Sequence, residues 1–212
     1  AMGTPLVIFT GGDPAKRPDL VELASHAVRA GLIVAVTPSG TALFQKPLLE
    51  QLKAAGVARI AVSVDGPDAR THDGFRRVEG SFDHSIRILT NARELGIPRQ
   101  INTTLAPHNV DRLGEMTDLA RKLEVVLFSV FVVVPTGRAD KRLLLSPERL
   151  EQALSQLADL ADGAPFDVKT TAAPHFRRIL LERRAARDAI GVYRDLDRDG
   201  HPELVSFPYA YH

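Results

Sequence analysis

The regular alternation of short apolar runs with amphipathic helical patterns limits the fold more than any other feature. Six runs have the length and composition of buried strands, at residues 6–9, 32–36, 58–64, 101–105, 125–134 and 166–169. Strands that are apolar on both faces and alternate with helices are typical of a parallel sheet covered by helices. The sequence therefore predicts an α/β fold of consecutive (β/α) units, with an open doubly wound sheet as the alternative.

Helix boundaries and connections indicate one domain over residues 1–212, with barrel units at about 5–145 and C-terminal helices and an extension at 146–212. Gly31, Gly56 and Gly96 are placed to end helices, and Ser146 followed by Pro147 is a strong helix start. The stretch from residue 66 to residue 80 is predicted as a long connection. Connections of that length in compact domains are usually functional.

Composition excludes several classes of function. Lys plus Arg is 27 and Asp plus Glu is 26, so the net charge of +1 argues against a polybasic nucleic-acid-binding protein. The longest apolar run is too short to span a bilayer, and no signal peptide opens the chain. We therefore expect a cytoplasmic protein without a nucleic-acid or membrane partner. Cysteine is absent, which excludes disulfides, thiolate nucleophiles and cysteine-ligated metal sites built from this chain alone.

Small polar residues, glycine or proline follow five consecutive strands. They are Thr10–Pro14, Thr37–Thr41, Ser63–Pro67, Asn102–Thr104 and Pro135–Ala139. The carboxyl ends of parallel strands meet at one edge of a sheet, where ligands bind. One such edge is ordinary turn chemistry, but five in a row favour an open mouth where the backbone approaches a ligand.

These segments form an ordered set of motifs. Gly11 and Gly12 lack the spacing of a dinucleotide fingerprint or a P-loop. Instead, Gly-Gly-Asp-Pro at residues 11–14, Ser-Val-Asp-Gly-Pro at 63–67 and HDGFRRVEGSF at 72–82 resemble the radical S-adenosylmethionine (SAM) enzymes. Asn-Thr-Thr at 102–104 and Val-Pro-Thr-Gly-Arg-Ala at 134–139 continue the similarity in the same order. The resemblance extends from about Leu6 to Arg184 and is strongest to the branch with an additional C-terminal cluster domain.

The resemblance implies a partial (β/α)6 TIM-like barrel of parallel strands that lacks the first β/α unit. It implies SAM as cofactor and, in the full-length protein only, a 4Fe–4S cluster with an external reductant. Enzymes of this branch cleave SAM reductively to a 5′-deoxyadenosyl radical. That radical abstracts hydrogen from a peptide or small-molecule substrate, in peptide modification or in haem and cofactor maturation.

The resemblance also implies which residues hold SAM. The Gly-Gly-acid-Pro edge would offer backbone acceptors to the SAM ammonium group, and Ser63 and Arg76 would hold the carboxylate or ribose. Residues around 102–104 and 134–136 would lie near ribose and adenine. The complete set of candidate cofactor-binding residues is Gly11, Gly12, Asp13, Pro14, Ser63, Asp65, Arg76, Asn102, Thr104, Val134 and Pro135. Two residues of these motifs have structural alternatives, because Asp65 can cap its own turn and a loop residue such as His72 is usually solvated.

Three departures from the family pattern matter. The cluster-binding C-x-x-x-C-x-x-C motif is absent, the chain starts at the equivalent of the second strand, and Arg77 stands where the family usually has glycine. We therefore expect a core fragment of a longer enzyme, inactive by itself, whose first strand is an exposed edge prone to self-association. The alternatives are a non-radical barrel enzyme of aldolase or isomerase type, using Asp65, Arg76 and Asn102, and a naturally cysteine-free binding module.

Overall fold

A computed structural model describes residues 5–134 and 140–189, in which six strands alternate with helices. The strands are β1 (Leu6–Phe9), β2 (Ile33–Val36), β3 (Arg59–Ser63), β4 (Arg99–Leu105), β5 (Leu127–Val132) and β6 (Asp167–Thr171). The helices are α1 (Leu20–Arg29), α2 (Lys46–Ala54), α3 (Ala69–Arg76), α4 (Ser81–Glu94), α5 (Leu113–Lys122), α6 (Pro147–Asp162) and α7 (His175–Ala189). Each predicted strand is present, with slightly different bounds.

The six strands form one sheet in the order β1-β2-β3-β4-β5-β6. Each neighbouring pair is parallel, so every connection is a crossover. Crossovers of this kind are almost always right-handed, so a sheet that adds strands in one direction carries its helices on one face. The sheet curls into a half-barrel, which confirms the partial TIM-like fold. An open doubly wound sheet is excluded, because its strand order would reverse.

The two faces of the sheet differ sharply in polarity. On β4 the side chains alternate strictly between buried and partly exposed, as a strand with one face under helices should. The outer face contributes fully buried apolar residues such as Val36, Ile60 and Phe128 to the core. The inner face of β3 to β5 instead carries Ser63, Gln100, Asn102, Thr104 and Ser129. The expectation that the strands are apolar on both faces is therefore wrong for β4.

The inner face is apolar at the β1 edge. Leu6, Ile8 and Ile33 are 40%, 50% and 47% exposed, and alternation places them opposite the buried Val34 and Val36. Among the described residues, β1 has a sheet neighbour only on the side of β2. The half-barrel therefore combines a polar inner wall at its centre with an exposed apolar wall at one edge.

Helices α1, α2 and α4 end just before the predicted Gly31, Gly56 and Gly96, and α6 begins after the predicted Ser146. Ser146 Oγ accepts a hydrogen bond from Arg149 N (3.2 Å) and caps α6. Gly56 follows α2 with φ +86°, in the left-handed region that favours glycine, and an added Cβ would lie 2.9 Å from Val28 Cγ1. Within the described ranges, no helix combines the length and apolar character needed to cross a membrane.

The predicted long connection is wrong over most of its length. Residues Ala69–Arg76 form α3, which Asp68 begins by accepting a hydrogen bond from Thr71 N (2.9 Å). The helix has no apolar stripe, and its only buried residue is His72. Its stability comes from polar contacts to other elements, which the local sequence does not reveal.

Candidate functional site

The loops after β1 and β2 are joined by Asp13, which is 9% exposed. Its Oδ1 accepts from Ala15 N (3.2 Å) and its Oδ2 from Thr41 Oγ1 (2.6 Å). Pro14 is buried in the same turn. Both carboxylate oxygens of Asp13 therefore hold the protein's own loops in place.

Gly11 and Gly12 form the open part of this edge. Both are exposed, and an added Cβ would meet nothing within 4 Å at either position. Gly11 has φ +108°, a conformation that side chains disfavour. The backbone here is open to a ligand, and the adjacent Asp13 fixes the loop through its hydrogen bonds to Ala15 and Thr41.

Asp65, two residues after β3, is the centre of the site and is fully buried. Its Oδ2 accepts from Arg76 Nε (2.6 Å) and its Oδ1 from Thr104 N (2.7 Å). The carboxylate thus ties the ends of β3 and β4 to the last turn of α3. These partners lie elsewhere in the fold, so the alternative of an aspartate that caps its own turn is wrong.

The Asp65 backbone is held as tightly as its side chain. Its N–H donates to His72 Nδ1 (2.9 Å), and its carbonyl oxygen accepts from Asn109 Nδ2 (3.0 Å) and from His108 Nε2 (2.9 Å). Asn109 Nδ2 also donates to Thr104 O (2.9 Å). Every polar group of Asp65 is therefore bonded within the protein.

Burial disfavours the charged form of both histidines. His72 is 1% exposed, and burial lowers its pKa, as burial also does for His108. His72 accepts at Nδ1 from a backbone N–H, and His108 stacks on Phe75 with ring centroids 4.1 Å apart. The expectation of a solvated His72 is wrong, and its contacts are those of a structural residue.

Arg76 points from this network toward solvent. It is 39% exposed at the side chain, and its Nε is occupied by Asp65. Among the described residues, no partner engages its two terminal amino groups. An arginine held through Nε and open at its terminal nitrogens can form a bidentate pair with a carboxylate.

The loop after Arg76 is organised by Asp73. Its carboxylate accepts from Gly80 N (2.8 Å), Ser81 Oγ (2.9 Å) and Phe82 N (2.8 Å). Burial alone would raise its pKa, but these bonds lower it overall. Arg77 adopts φ +55°, in the left-handed region, which explains why glycine suits this position in the family pattern.

The inner face supplies the middle of the site. The register aligns Ser63 with Asn102, and Asn102 with Ser129, so one polar row crosses three strands. Gln100 Nε2 donates to Asn102 Oδ1 (2.7 Å), and Arg59 Nη1 donates to Gln100 Oε1 (3.1 Å). Val134 follows β5 and is 47% exposed, whereas Pro135 lies outside the described residues.

The structure thus brings Ser63, Asp65, Arg76, Asn102 and Thr104 together across the ends of β3 and β4. Sequence reasoning missed the residues that hold them, namely Arg59, Gln100, His108 and Asn109, and it missed the bond from Thr41 to Asp13. The alternation of Gln100, Asn102 and Thr104 along β4 was the available signal, because period-two polar residues indicate a shared polar face.

The chain does not fit a metal cluster by itself. It contains no cysteine, and within residues 5–134 and 140–189 no group of three His, Asp or Glu side chains could hold a metal ion. Thiolates are the usual ligands of iron–sulfur clusters.

Comparison with known proteins gives a consistent result. The sequence profile of a family described as the radical SAM superfamily matches residues 1–120. An AdoMet-dependent heme synthase from Methanosarcina barkeri is 36% identical over 91% of this chain and 54% of that protein. A protein of the same name from Nitratidesulfovibrio vulgaris is 37% identical over 92% of this chain and 53% of that protein. The chain thus spans about half the length of these relatives.

Among solved structures, Streptococcus suis SuiB bound to the precursor peptide SuiA has a TM-score of 0.69. The match covers 84% of this chain and 40% of SuiB, at 18% sequence identity. The TM-score shows that the two proteins share a fold, and at this identity the likeness shows the fold alone.

Proposed function

Because the chain belongs to the radical SAM superfamily, we propose that the carboxyl edge of its sheet binds SAM. The observation that carries this proposal is the convergence of Ser63, Arg76, Asn102 and Thr104 at the carboxyl edge of the sheet, the edge that also carries an open glycine pair after β1. SAM offers an ammonium, a carboxylate, a ribose and an adenine, and this edge presents a complementary group for each.

The proposed roles follow from which groups remain open. The carbonyl groups of Gly11 and Gly12 accept from the SAM ammonium, because no side chain blocks their approach. The terminal amino groups of Arg76, with the Ser63 hydroxyl, hold the carboxylate or ribose. The residues assigned to ribose and adenine are Asn102, Thr104, Val134 and Pro135.

Asp13, Pro14 and Asp65 contribute to the same site indirectly, through contacts within the protein. The carboxylate oxygens of both aspartates accept hydrogen bonds from other groups of the protein, and Pro14 is buried. Their proposed contribution is to fix the glycine pair and Arg76 in place for the cofactor. They are therefore positioning residues in this proposal.

We extend the proposal to the whole protein, in which the 5′-deoxyadenosyl group of SAM takes hydrogen from a substrate. The family's 4Fe–4S cluster does not fit the residues of this chain, which has no cysteine, and in this proposal its thiolate ligands are supplied from outside these 212 residues. Without the cluster, SAM is held only by hydrogen bonds, ion pairs and packing. We therefore expect this chain to bind SAM weakly and to be inactive alone.

The proposed role of the whole protein is haem-type tetrapyrrole maturation. Two relatives that cover 91% and 92% of this chain are named AdoMet-dependent heme synthases. A peptide substrate is the second candidate, supported by the shared fold of SuiB, which was solved with its precursor peptide. An aldolase or isomerase function has no support beside this family assignment.

The direct test is a titration of the isotopically labelled chain with SAM, followed residue by residue in NMR spectra. We expect shifts confined to the glycine pair and to the ends of β3 and β4, with a dissociation constant weaker than about 1 μM. Arg76→Met should weaken binding, whereas Asp118→Asn, an exposed change on α5, should not. ATP serves as the ligand control. Shifts spread over the outer helices, or equal shifts with ATP, would contradict the proposal.

A further inference from the structure

A chain of three polar side chains runs along the inner face of the half-barrel. Arg59 on β3 donates from Nη1 to Gln100 Oε1 (3.1 Å), and Gln100 donates from Nε2 to Asn102 Oδ1 (2.7 Å). All three side chains are partly buried, and the two amides lie on the same face of β4. None of these contacts is needed to pair the strands, because the backbone ladder does that.

The direction of this chain is fixed by elementary hydrogen-bond chemistry. A guanidinium group can only donate, so Gln100 must turn its oxygen toward Arg59. The Gln100 amino group then faces Asn102, so Asn102 must accept this hydrogen bond with its side-chain oxygen. The amino group of Asn102 is left over, and among the described residues no acceptor engages it.

We propose that Arg59 and Gln100 position Asn102 as an obligate hydrogen-bond donor to SAM. The atom it binds is an acceptor that carries no hydrogen, either a ring nitrogen of adenine or an oxygen of the methionine carboxylate. A ribose hydroxyl can donate as well as accept, so a contact with ribose would tolerate either orientation of the amide, and the variants below would then leave SAM affinity nearly unchanged. This inference rests on the proposed SAM site and adds the polarity of one contact within it.

The variant Gln100→Glu tests the polarity without changing the shape. The introduced carboxylate still accepts from Arg59, but it cannot donate to Asn102 Oδ1. Asn102 then rotates its amide to donate to that carboxylate and presents its oxygen to the ligand. We expect SAM affinity to fall about tenfold, because a donor is replaced by an acceptor facing an acceptor. The melting temperature should stay close to that of the parent chain, since the Arg59 contact becomes an ion pair.

Two further variants complete the experiment. Asn102→Asp removes the donor while still accepting from Gln100, so it should lower SAM affinity at least as much with little change in melting temperature. Gln51→Glu makes the same chemical change on the exposed face of α2 and should leave affinity unchanged. Titrations with 5′-deoxyadenosine and with L-methionine identify the acceptor, because the loss should follow one fragment and spare the other.

The outcomes separate this inference from the proposed function. If the parent chain shows no SAM binding at the sheet edge, the proposed function fails first. If the parent chain binds SAM but Gln100→Glu and Asn102→Asp both bind within about twofold of it, the polarity assignment is wrong. If Gln100→Glu loses affinity because it unfolds, Asn102→Asp becomes the deciding variant. An unchanged SAM affinity in Asn102→Asp would then overturn the proposal. The side-chain amide signals of Asn102 in the ligand-free protein give an independent readout, and they should shift in Gln100→Glu but not in Gln51→Glu.

Discussion

The pair formed by Asp65 and Arg76 allows a quantitative test of the site's construction. Asp65 is fully buried, whereas the Arg76 side chain is 39% exposed. Removing either charge should destabilise the fold, but by different amounts. In Asp65→Asn, the freed guanidinium turns into solvent. In Arg76→Met, the carboxylate stays buried with only Thr104 N as a donor.

The magnitudes follow from what each variant leaves behind. Asp65→Asn loses one charge-assisted hydrogen bond of 2.6 Å and can keep the bond to Thr104 N through its amide oxygen. A hydrogen bond to a charged group contributes about 1.5–3 kcal/mol, which is the expected loss in unfolding free energy. Arg76→Met leaves the buried Asp65 carboxylate without its positive partner, for which the expected loss in unfolding free energy is about 3–5 kcal/mol. The double variant buries no charge at this position. Its loss in unfolding free energy should therefore be smaller than the sum of the losses in the two single variants.

The assay is urea unfolding at neutral pH, with far-ultraviolet circular dichroism and several protein concentrations to account for self-association. Asp118→Asn is the matched control, because Asp118 is 75% exposed in its pair with Arg121 and should change stability by less than about 0.5 kcal/mol. The reasoning is refuted if Asp65→Asn costs as much as Arg76→Met, or if the two substitutions are additive.

Three further predictions follow from the described contacts. After anaerobic reconstitution with iron and sulfide, the purified chain should retain no stoichiometric iron and no stable visible absorption band, because it has no cysteine. Because burial lowers the pKa of His72 below its usual value of 6.5, the unfolded chain takes up a proton first, and stability should fall as the pH drops below about 6.5. His72→Gln can still accept from Asp65 N and should flatten that dependence; an unchanged slope would contradict the assignment. Finally, the exposed β1 edge with Leu6 and Ile8 should cause self-association in light scattering, and Ile8→Lys should reduce it; a monomeric parent chain would show the edge to be covered.

The strands and their order were predictable because the local sequence determines them. β1, β2, β3 and β5 each contain a short, largely apolar run, and a glycine or a capping residue such as Ser146 stands at several helix boundaries. Parallel neighbours in chain order follow once crossovers are right-handed. These features depend on residues a few positions apart, and the sequence shows them directly.

Helix α3 was missed for the opposite reason. Its only buried residue is His72, so no apolar periodicity marks it. It is held by Asp68, whose pKa is lowered to about 2 by hydrogen bonds from Thr71 N and Arg112. Arg112 lies in a 3-10 turn after β4, and its contact with Asp68 exists only in the folded chain. A polar helix stabilised by distant partners leaves no local signal.

The candidate site was predictable as a set of residues but not as an arrangement. The motifs placed Ser63, Asp65 and Asn102 at strand ends and Arg76 in the connection after the third strand, and the register aligns Ser63 with Asn102. They did not show that Asp65 spends both of its oxygens inside the protein, because Thr104 is far from it in sequence. Which polar groups stay open to a ligand depends on these long-range pairings.

The arrangement explains why weak binding by this chain is compatible with a well-formed site. Asp65 holds Arg76 through Nε, and Gln100 holds Asn102 through its oxygen, so both candidate ligand groups are oriented before any ligand arrives. Ordering such side chains on binding would otherwise cost about 0.5–1.5 kcal/mol each. If this edge binds SAM as proposed, we expect its affinity to be limited by contacts that these 212 residues do not supply, above all those of the cluster. Supplying those contacts should tighten SAM binding without reorganising the ends of β3 and β4. The NMR shifts of these strand ends should therefore be the same with and without the added contacts, apart from residues that touch the ligand directly.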